Sequence, residues 1–392
     1  MPFPMFIKFS RQWFQERGVK FYGVVFLAIC MGMLIIGLWP FNFRPANKVA
    51  WLGDRNGVKF YGYATITGSN AWNKEPASLF PDKAISLELW LHPLMETSGL
   101  PRILTLYDGK TPDIVLVGQW MSHLAVRSRK DDTYTHKLGK SYKEIGITKA
   151  LQKDRDVFIT ITSGKEGSTI YINGKLAGYY PRHQLLSGYN GEPVRLVLGN
   201  LTTGESCWTG YLTGLAIYNR ALTAKQVLNS YQKWIQKGAP SAEGDDCVAL
   251  YLFNERKGQV IRNHLNPDNQ LAMPEIFKPV KFTVLDIPWS HDDFKWNRSF
   301  FQDVTINIVG FIPFGFFCAA LLIKTHRFKT FALYIITVLL GFGLSLAIEM
   351  LQVYLPTRDS SLIDVICNVL GTIMGLLLYQ ITVFPSSETA HE

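Results

Sequence analysis

Charge is scarce in this chain. Asp, Glu, Lys and Arg make up 18% of its 392 residues, against about a quarter in soluble domains. With hydrophobic residues at 47%, intrinsic disorder is excluded. Cysteine is scarce too, and five in so long a chain exclude a dense disulfide scaffold. No Gly-x-Gly-x-x-Gly or Walker-type loop occurs, so a nucleotide site has no support. The eight histidines are scattered, and no His-x-x-x-His or Cys-x-x-Cys pair is present to hold zinc. A Gly-x-Ser-x-Gly elbow is also missing.

What the chain does have is length for roughly two to three domains and four uncharged apolar runs. Phe21 to Phe43 is the first, stopped by Arg44. Val304 to Ile323, Thr330 to Ile348 and Val365 to Phe384 are the others. At about 1.5 Å per residue, each crosses a hydrocarbon core of roughly 30 Å. The first run is too long for a signal-peptide core, and Trp39-Pro40-Phe41 offers no small-residue cleavage site. A retained anchor is expected.

Basic residues set the expected orientation. Lys8, Arg11, Arg17 and Lys20 precede run one, and Lys324, Arg327 and Lys329 link runs two and three. Placing both groups in the cytoplasm puts both termini inside and Arg44 to Asp303 outside. The formal net charge of +9 partly reflects these flanks, and no nucleic-acid partner is expected. Between Arg44 and Asp303, 32 Lys and Arg face 25 Asp and Glu. That surplus suits an anionic polymer or lipid surface, or merely a solvated face. Cys30, Cys318 and Cys367 fall inside the apolar runs. Cys207 and Cys247 do not, and they either pair in an oxidising compartment or remain free thiols.

Between Lys48 and about Leu285 the pattern changes to short strands. Ala84 to Leu91 alternates as a half-buried strand does, and Val157–Thr162, Val194–Leu198 and Gly210–Tyr218 continue the series. Asn173-Gly174 between two strand-like runs is a strong hairpin signal. One helix is expected after Thr223, where Thr223-Ala-Lys-Gln226 begins a capping box. Many short strands with regular turns predict an all-β sandwich or jelly roll.

The run Leu212–Val227 (LTGLAIYNRALTAKQV) and the hairpin Ile170–Lys175 resemble laminin-G-like, concanavalin A-like jelly rolls. Leu250 to Gly258 and Asn269 to Pro274 are similar to the strand that usually opens such domains. Here they come last, as a permuted order or a late strand completing the sheet. The resemblance implies a glycan or protein ligand. Calcium is a further option, with no ligand residue assignable, and no other cofactor is expected.

The membrane runs carry an internal repeat. Asp303-Val-x-x-Asn307-x-x-Gly310 opens run two, and Asp364-Val-x-x-Asn368-x-x-Gly371 opens run four. Runs one and three each end near a proline, Pro40 and Pro356. The membrane part therefore reads as two helical hairpins in parallel repeat, with the sandwich inserted into the first turn. At 3.6 residues per turn, Asp303 shares a face with Asn307, and Asp364 with Asn368. Glu349 and Gln352 share another, while Arg358 and Asp359 occupy the short turn between runs three and four. All eight belong to one depth and are expected to form a polar membrane site. The plain alternative makes Asp303 and Asp364 helix caps, the asparagines interhelical glue and Arg358 the partner of Glu349.

Asn307–Gly315, Glu349-x-x-Gln352 and Arg358-Asp-Ser-Ser-Leu-Ile-Asp364-Val-x-x-Asn368-x-x-Gly371 resemble the VanZ-like membrane family, and Trp39–Phe43 is similar to the end of its first helix. Members are similar to a protein linked to low-level resistance to the glycopeptide teicoplanin, so the resemblance implies work on the cell envelope. The sandwich departs from the minimal family and points instead to an exported polymer.

The expected domains are a basic cytoplasmic segment (1–20), a first membrane helix (21–43), the sandwich (48–285), a linker (286–303), membrane helices two to four (304–384) and a cytoplasmic tail (385–392). Three functions fit. One is an envelope protein recognising a glycan or surface polymer beside the bilayer. The second is an enzyme acting on a lipid-linked substrate, with Glu349 and Asp364 as acid and base and Arg358 holding a phosphate or carboxylate. The third is a structural module locked by its polar cluster.

Overall fold

The computed structural model describes residues 16–68, 79–110, 113–130, 142–200, 202–204, 207–240, 246–280, 282–287, 296–325 and 330–383. Lys8, Arg11, Arg327, Lys329 and the expected tail lie outside these residues. The chain forms two compact units, residues 44–281 and the pair of segments 1–43 and 282–392.

The first unit is a sandwich of two antiparallel sheets. The strands are β1 (Ala50–Trp51), β2 (Val58–Phe60), β3 (Ile66–Gly68), β4 (Ile85–Pro93), β5 (Arg102–Tyr107), β6 (Val115–Trp120), β7 (His123–Arg129) and β8 (Tyr142–Ile147). They continue with β9 (Val157–Gly164), β10 (Gly167–Ile172), β11 (Lys175–Tyr180), β12 (Arg195–Leu198), β13 (Gly210–Tyr218), β14 (Cys247–Tyr251), β15 (Val260–Ile261) and β16 (Leu271–Ala272). One sheet runs β1-β2-β13-β4-β9-β10-β11 with β14 beside β13, and the other β15-β16-β3-β12-β5-β6-β7-β8. Phe60, Leu87, Leu89, Ile159, Leu196 and Trp208 meet between them, all fully buried.

The late strands complete both sheets. β14 pairs with β13, and β16 joins β15 to β3. At the base of the domain the incoming and outgoing chains are also paired. Asn47 donates its amide to the Glu275 carbonyl at 2.9 Å, and Phe277 donates to Pro45 at 2.9 Å.

The hairpin read at Asn173-Gly174 is present, with both residues left-handed (φ 51° and 74°), as a type I′ turn requires. The helix after Thr223 is α2 (Ala224–Lys237); Thr223 and Gln226 close the capping box, and left-handed Gly238 ends it. This helix changes the reading of β4. Its alternation predicts one wet face, yet both faces are mostly buried, because the outward residues lie under α2. There Phe158, Tyr218, Val227 and Trp234 form a second apolar cluster. Within that layer, Glu88 accepts from Tyr218 Oη at 3.1 Å and Trp234 Nε1 at 3.0 Å. Burial pushes its carboxyl above the ordinary range, against the hydrogen bonds that favour the charge.

Cys207 and Cys247 are free thiols. Cys207 packs on the inter-sheet core, and Cys247 on the cluster beneath α2, so the alternative of a disulfide is not realised. Burial raises both thiols, Cys207 to about 11 and Cys247 to about 12.

The second unit is helical, with α1 (Val19–Leu38), α3 (Arg298–Lys324), α4 (Thr330–Gln352) and α5 (Leu362–Val383). These four are long and apolar enough to cross a membrane. Lipid solvation accounts for their outward Val24, Leu27, Ile36, Phe331, Leu339 and Ile381, all exposed. α1 stops at Trp39-Pro40, earlier than Phe43, because proline disfavours helix in the preceding residue. α3 begins at Arg298, not Val304, since Asn297 caps it by accepting the Phe300 amide at 2.9 Å.

Glycines let the helices touch. A Cβ on Gly315 would meet the Thr372 carbonyl, on Gly371 that of Ile308, and on Gly375 that of Ile312. α3 and α5 thus pack backbone to backbone, the close approach that small residues permit in membranes. A Cβ on Gly37 would sit 2.9 Å from the Ile348 side chain, so α1 meets α4 through that side chain and not backbone to backbone.

Candidate functional site

The polar residues gather where α1 and α4 end and α3 and α5 begin. This end is knitted by the segment before α3. Asp286 forms a parallel bridge with Ser361; its amide donates to the Ser360 carbonyl at 2.7 Å, and its carbonyl accepts from Leu362 at 3.0 Å. Ser360 Oγ accepts the Leu285 amide at 3.0 Å.

The eight residues divide into separate sets. On α3 and α5, Asn307 and Asp303 both lie near the Asp364 carboxyl. Asp303 lies within the helix that Asn297 caps, so the capping reading of Asp303 is corrected. Asp364 does sit in the first turn of α5, where a carboxylate suits the helix dipole.

On α4, Glu349 is buried at 2% exposure, and its Oε2 accepts the Ser361 amide at 2.8 Å. Asp364 stands within reach of its charge. The Arg358–Glu349 partnership of the plain alternative is not formed. Arg358 turns instead to the last turn of α1, donating from Nη2 to Ile36 O at 3.1 Å and from Nε to Trp39 O at 3.3 Å. Gln352 joins it, donating to Gly37 O at 2.8 Å. A helix ends with unpaired carbonyls, and these two side chains satisfy three of them.

Asn368 is deeper and 4% exposed. Its Nδ2 donates to Ser345 Oγ at 2.9 Å, as interhelical glue does, while Oδ1 has no partner. Asp359 remains exposed. Crowding by protein around its carboxyl, and then the charge of Asp286, hold it above its ordinary value.

Glu349, Asp364, Asn307 and Asp303 therefore form one acidic cluster, while Arg358 and Gln352 clamp α1. Sequence reasoning missed Asp286, Ser345 and the Ser361 amide; only Ser361 carried a signal, as part of the Arg358–Gly371 motif. Among the described residues no three His, Cys, Asp or Glu groups are placed to hold a metal. What the cluster offers is one buried carboxylate, Glu349, beside the half-buried Asp364, with no ion pair to either among the described residues.

Two stretches of the chain match two family models, and the more C-terminal match begins within the late strands of the sandwich. Residues 247–383 match the VanZ/LLP1 family model, and residues 67–228 match that of the concanavalin A-like lectin/glucanases superfamily. The chain is a membrane protein that joins a VanZ-like part to a laminin-G-like sandwich. Among solved structures it is similar to a protein from Bacteroides ovatus described as a candidate carbohydrate binding protein, at 14% identity over 58% of this chain and 61% of that one, TM-score 0.40. It is also similar to the binding domain of botulinum neurotoxin DC in complex with rat synaptotagmin II, at 16% identity over 48% of this chain and 45% of that one, TM-score 0.37. The chain thus spans under half of the neurotoxin chain it matches. No curated protein matches it.

Proposed function

We propose that this protein displays a glycan-recognising sandwich on the outer face of a cell membrane, anchored by a VanZ-like bundle at the level of lipid headgroups. The observation that carries the reading is the insertion of a lectin-like domain, residues 44–281, between the first two membrane helices. Basic residues before α1 and at Lys324, Arg327 and Lys329 place those ends in the cytoplasm by the positive-inside rule. The sandwich and the acidic cluster then share the opposite side.

The headgroup level is supported by aromatic side chains around the cluster. Trp39, Trp296 and Tyr354 are exposed at this end of the bundle, and amphipathic Trp and Tyr rings favour the membrane–water interface. The ligand is an envelope polysaccharide or lipid-linked glycan held beside the bilayer. An enzyme using Arg358 as an anion clamp is less supported, because that guanidinium is occupied by α1 carbonyls.

The test is retention of the full chain, in nanodiscs, on immobilised peptidoglycan and envelope polysaccharides. Saturable retention competed by the soluble polymer is expected. Retention no greater than that of empty nanodiscs on every polymer overturns the reading.

A further inference from the structure

We propose that the tip of the β6–β7 hairpin is a subsite for a neutral pyranose, stacked on Trp120 and hydrogen-bonded by His123. The proposal rests on the glycan-recognition reading and gives it a location. Trp120 leaves 53% of its surface in solvent, whereas Trp208 and Trp234 of the same domain are buried. Met121 and Met95 beside it are also exposed. A lone exposed indole is ordinary. What distinguishes this one is the support beneath it.

Gln119, fully buried, donates from Nε2 to Met95 O at 2.9 Å and to Met121 O at 2.6 Å. Its Oε1 accepts Trp208 Nε1 at 2.7 Å. One amide thereby ties the hairpin tip, the Met95 loop and the core indole together. Thr97 adds two bonds, its Oγ1 donating to Gln119 O at 3.0 Å and its carbonyl accepting the Met121 amide at 3.2 Å. Met121 is left-handed, φ 54°, a conformation that costs a non-glycine residue about 1 kcal/mol or more and tends to persist where the surroundings enforce it. The indole is therefore presented on a fixed frame, which lowers the ordering cost of binding.

His123 faces Trp120 across the strand ends, ring centroids 5.3 Å apart. Its Nδ1 lies 2.9 Å from the Lys149 amide and accepts from it. A neutral imidazole whose Nδ1 accepts must carry its proton on Nε2, so Nε2–H is left to donate to a hydroxyl. Glu96 and Lys149 are exposed on the neighbouring loops, and neither forms an ion pair among the described residues. Their opposite charges leave the tip close to neutral, which suits an uncharged sugar. A flat aromatic face with a few fixed polar groups is the usual make-up of a small-ligand site.

The experiment titrates the full chain in nanodiscs with cellotetraose and chitotetraose by calorimetry. Wild type is expected to bind at least one, Trp120→Ala to weaken that binding about tenfold or more, and Trp120→Phe to keep most of it. His123→Phe, which retains the ring but not the donor, is expected to weaken it several-fold, with thermal unfolding unchanged throughout. Equal binding by wild type and Trp120→Ala overturns the subsite and leaves glycan recognition standing. No binding by wild type overturns the neutral-pyranose subsite; if polysaccharide retention fails as well, the wider reading falls with it.

Discussion

The guanidinium of Arg358 donates to the carbonyl oxygen of Ile36 at 3.1 Å, joining the turn between α4 and α5 to the last turn of α1. A cation at a helix C-terminus opposes the negative end of the dipole and pairs carbonyls that have no partner within the helix.

Replacing Arg358 with Ala is therefore expected to lower the stability of the bundle by about 1–2 kcal/mol, with Lys restoring part of it. Thermal unfolding in nanodiscs reads this. A residue serving only to hold an anionic substrate would leave the melting temperature unchanged.

The Ser361 amide needs an acceptor, which Glu349 supplies at 2.8 Å and a Gln carbonyl would also supply. Glu349→Gln is expected to fold and melt like wild type, whereas Glu349→Ala leaves a buried amide unpaired and loses about 1–3 kcal/mol. Glycan binding should survive both changes. Loss of binding in a folded Glu349→Gln protein would move recognition to the membrane cluster.

His183 gives the sandwich a dependence on pH. It is buried beside Ser128 Oγ at 3.1 Å, and burial, then the charge of Lys143, depress it from 6.5 to about 4. The unfolded chain takes up the proton first as pH falls. The stabilisation is thus complete above about pH 6.5 and drains away toward pH 4, by about 3 kcal/mol in total. Urea midpoints should fall more steeply over that range in wild type than in His183→Gln.

Gly371 has no room for a methyl group against Ile308. Gly371→Ala is expected to force α3 and α5 apart at about 1–3 kcal/mol, the usual range for overpacking. Gly343, with open space around it, is the control, and Gly343→Ala should melt like wild type.

The thiols provide a simple check. Cys207 and Cys247 are free and their acidities are suppressed by burial. Both should resist maleimide at pH 7.5 in the folded protein and react after denaturation, without prior reduction. A need for reductant would mean that a disulfide exists.

The helices were legible because uncharged runs of this length have few alternatives, and the hairpin at Asn173-Gly174 because its turn geometry selects those residues. β5 to β8 were harder to read. β6 is buried along most of its length, so its residues do not alternate in polarity. The membrane cluster was half legible. Asp364, Asn307 and Glu349 stand out as polar groups in apolar helices, but Arg358 was paired with Glu349 by residue type. Its true partners are backbone carbonyls, which every residue has and no sequence pattern marks. The capping alternative for Asp303 fails because Asn297, beyond the apolar run, starts the helix earlier.

The pairing of Asn47 with Glu275 has a bearing on how such a chain arose. Two strands in register bring their ends to about 5 Å of each other, the spacing of an ordinary tight turn. A domain whose entrance and exit are that close can be spliced into a loop without straining the helices on either side. A helical bundle needs only a short connection after its first helix to accept such a domain. By the same geometry, excising everything between Asn47 and Glu275 asks of that helical hairpin nothing more than the closure of a turn.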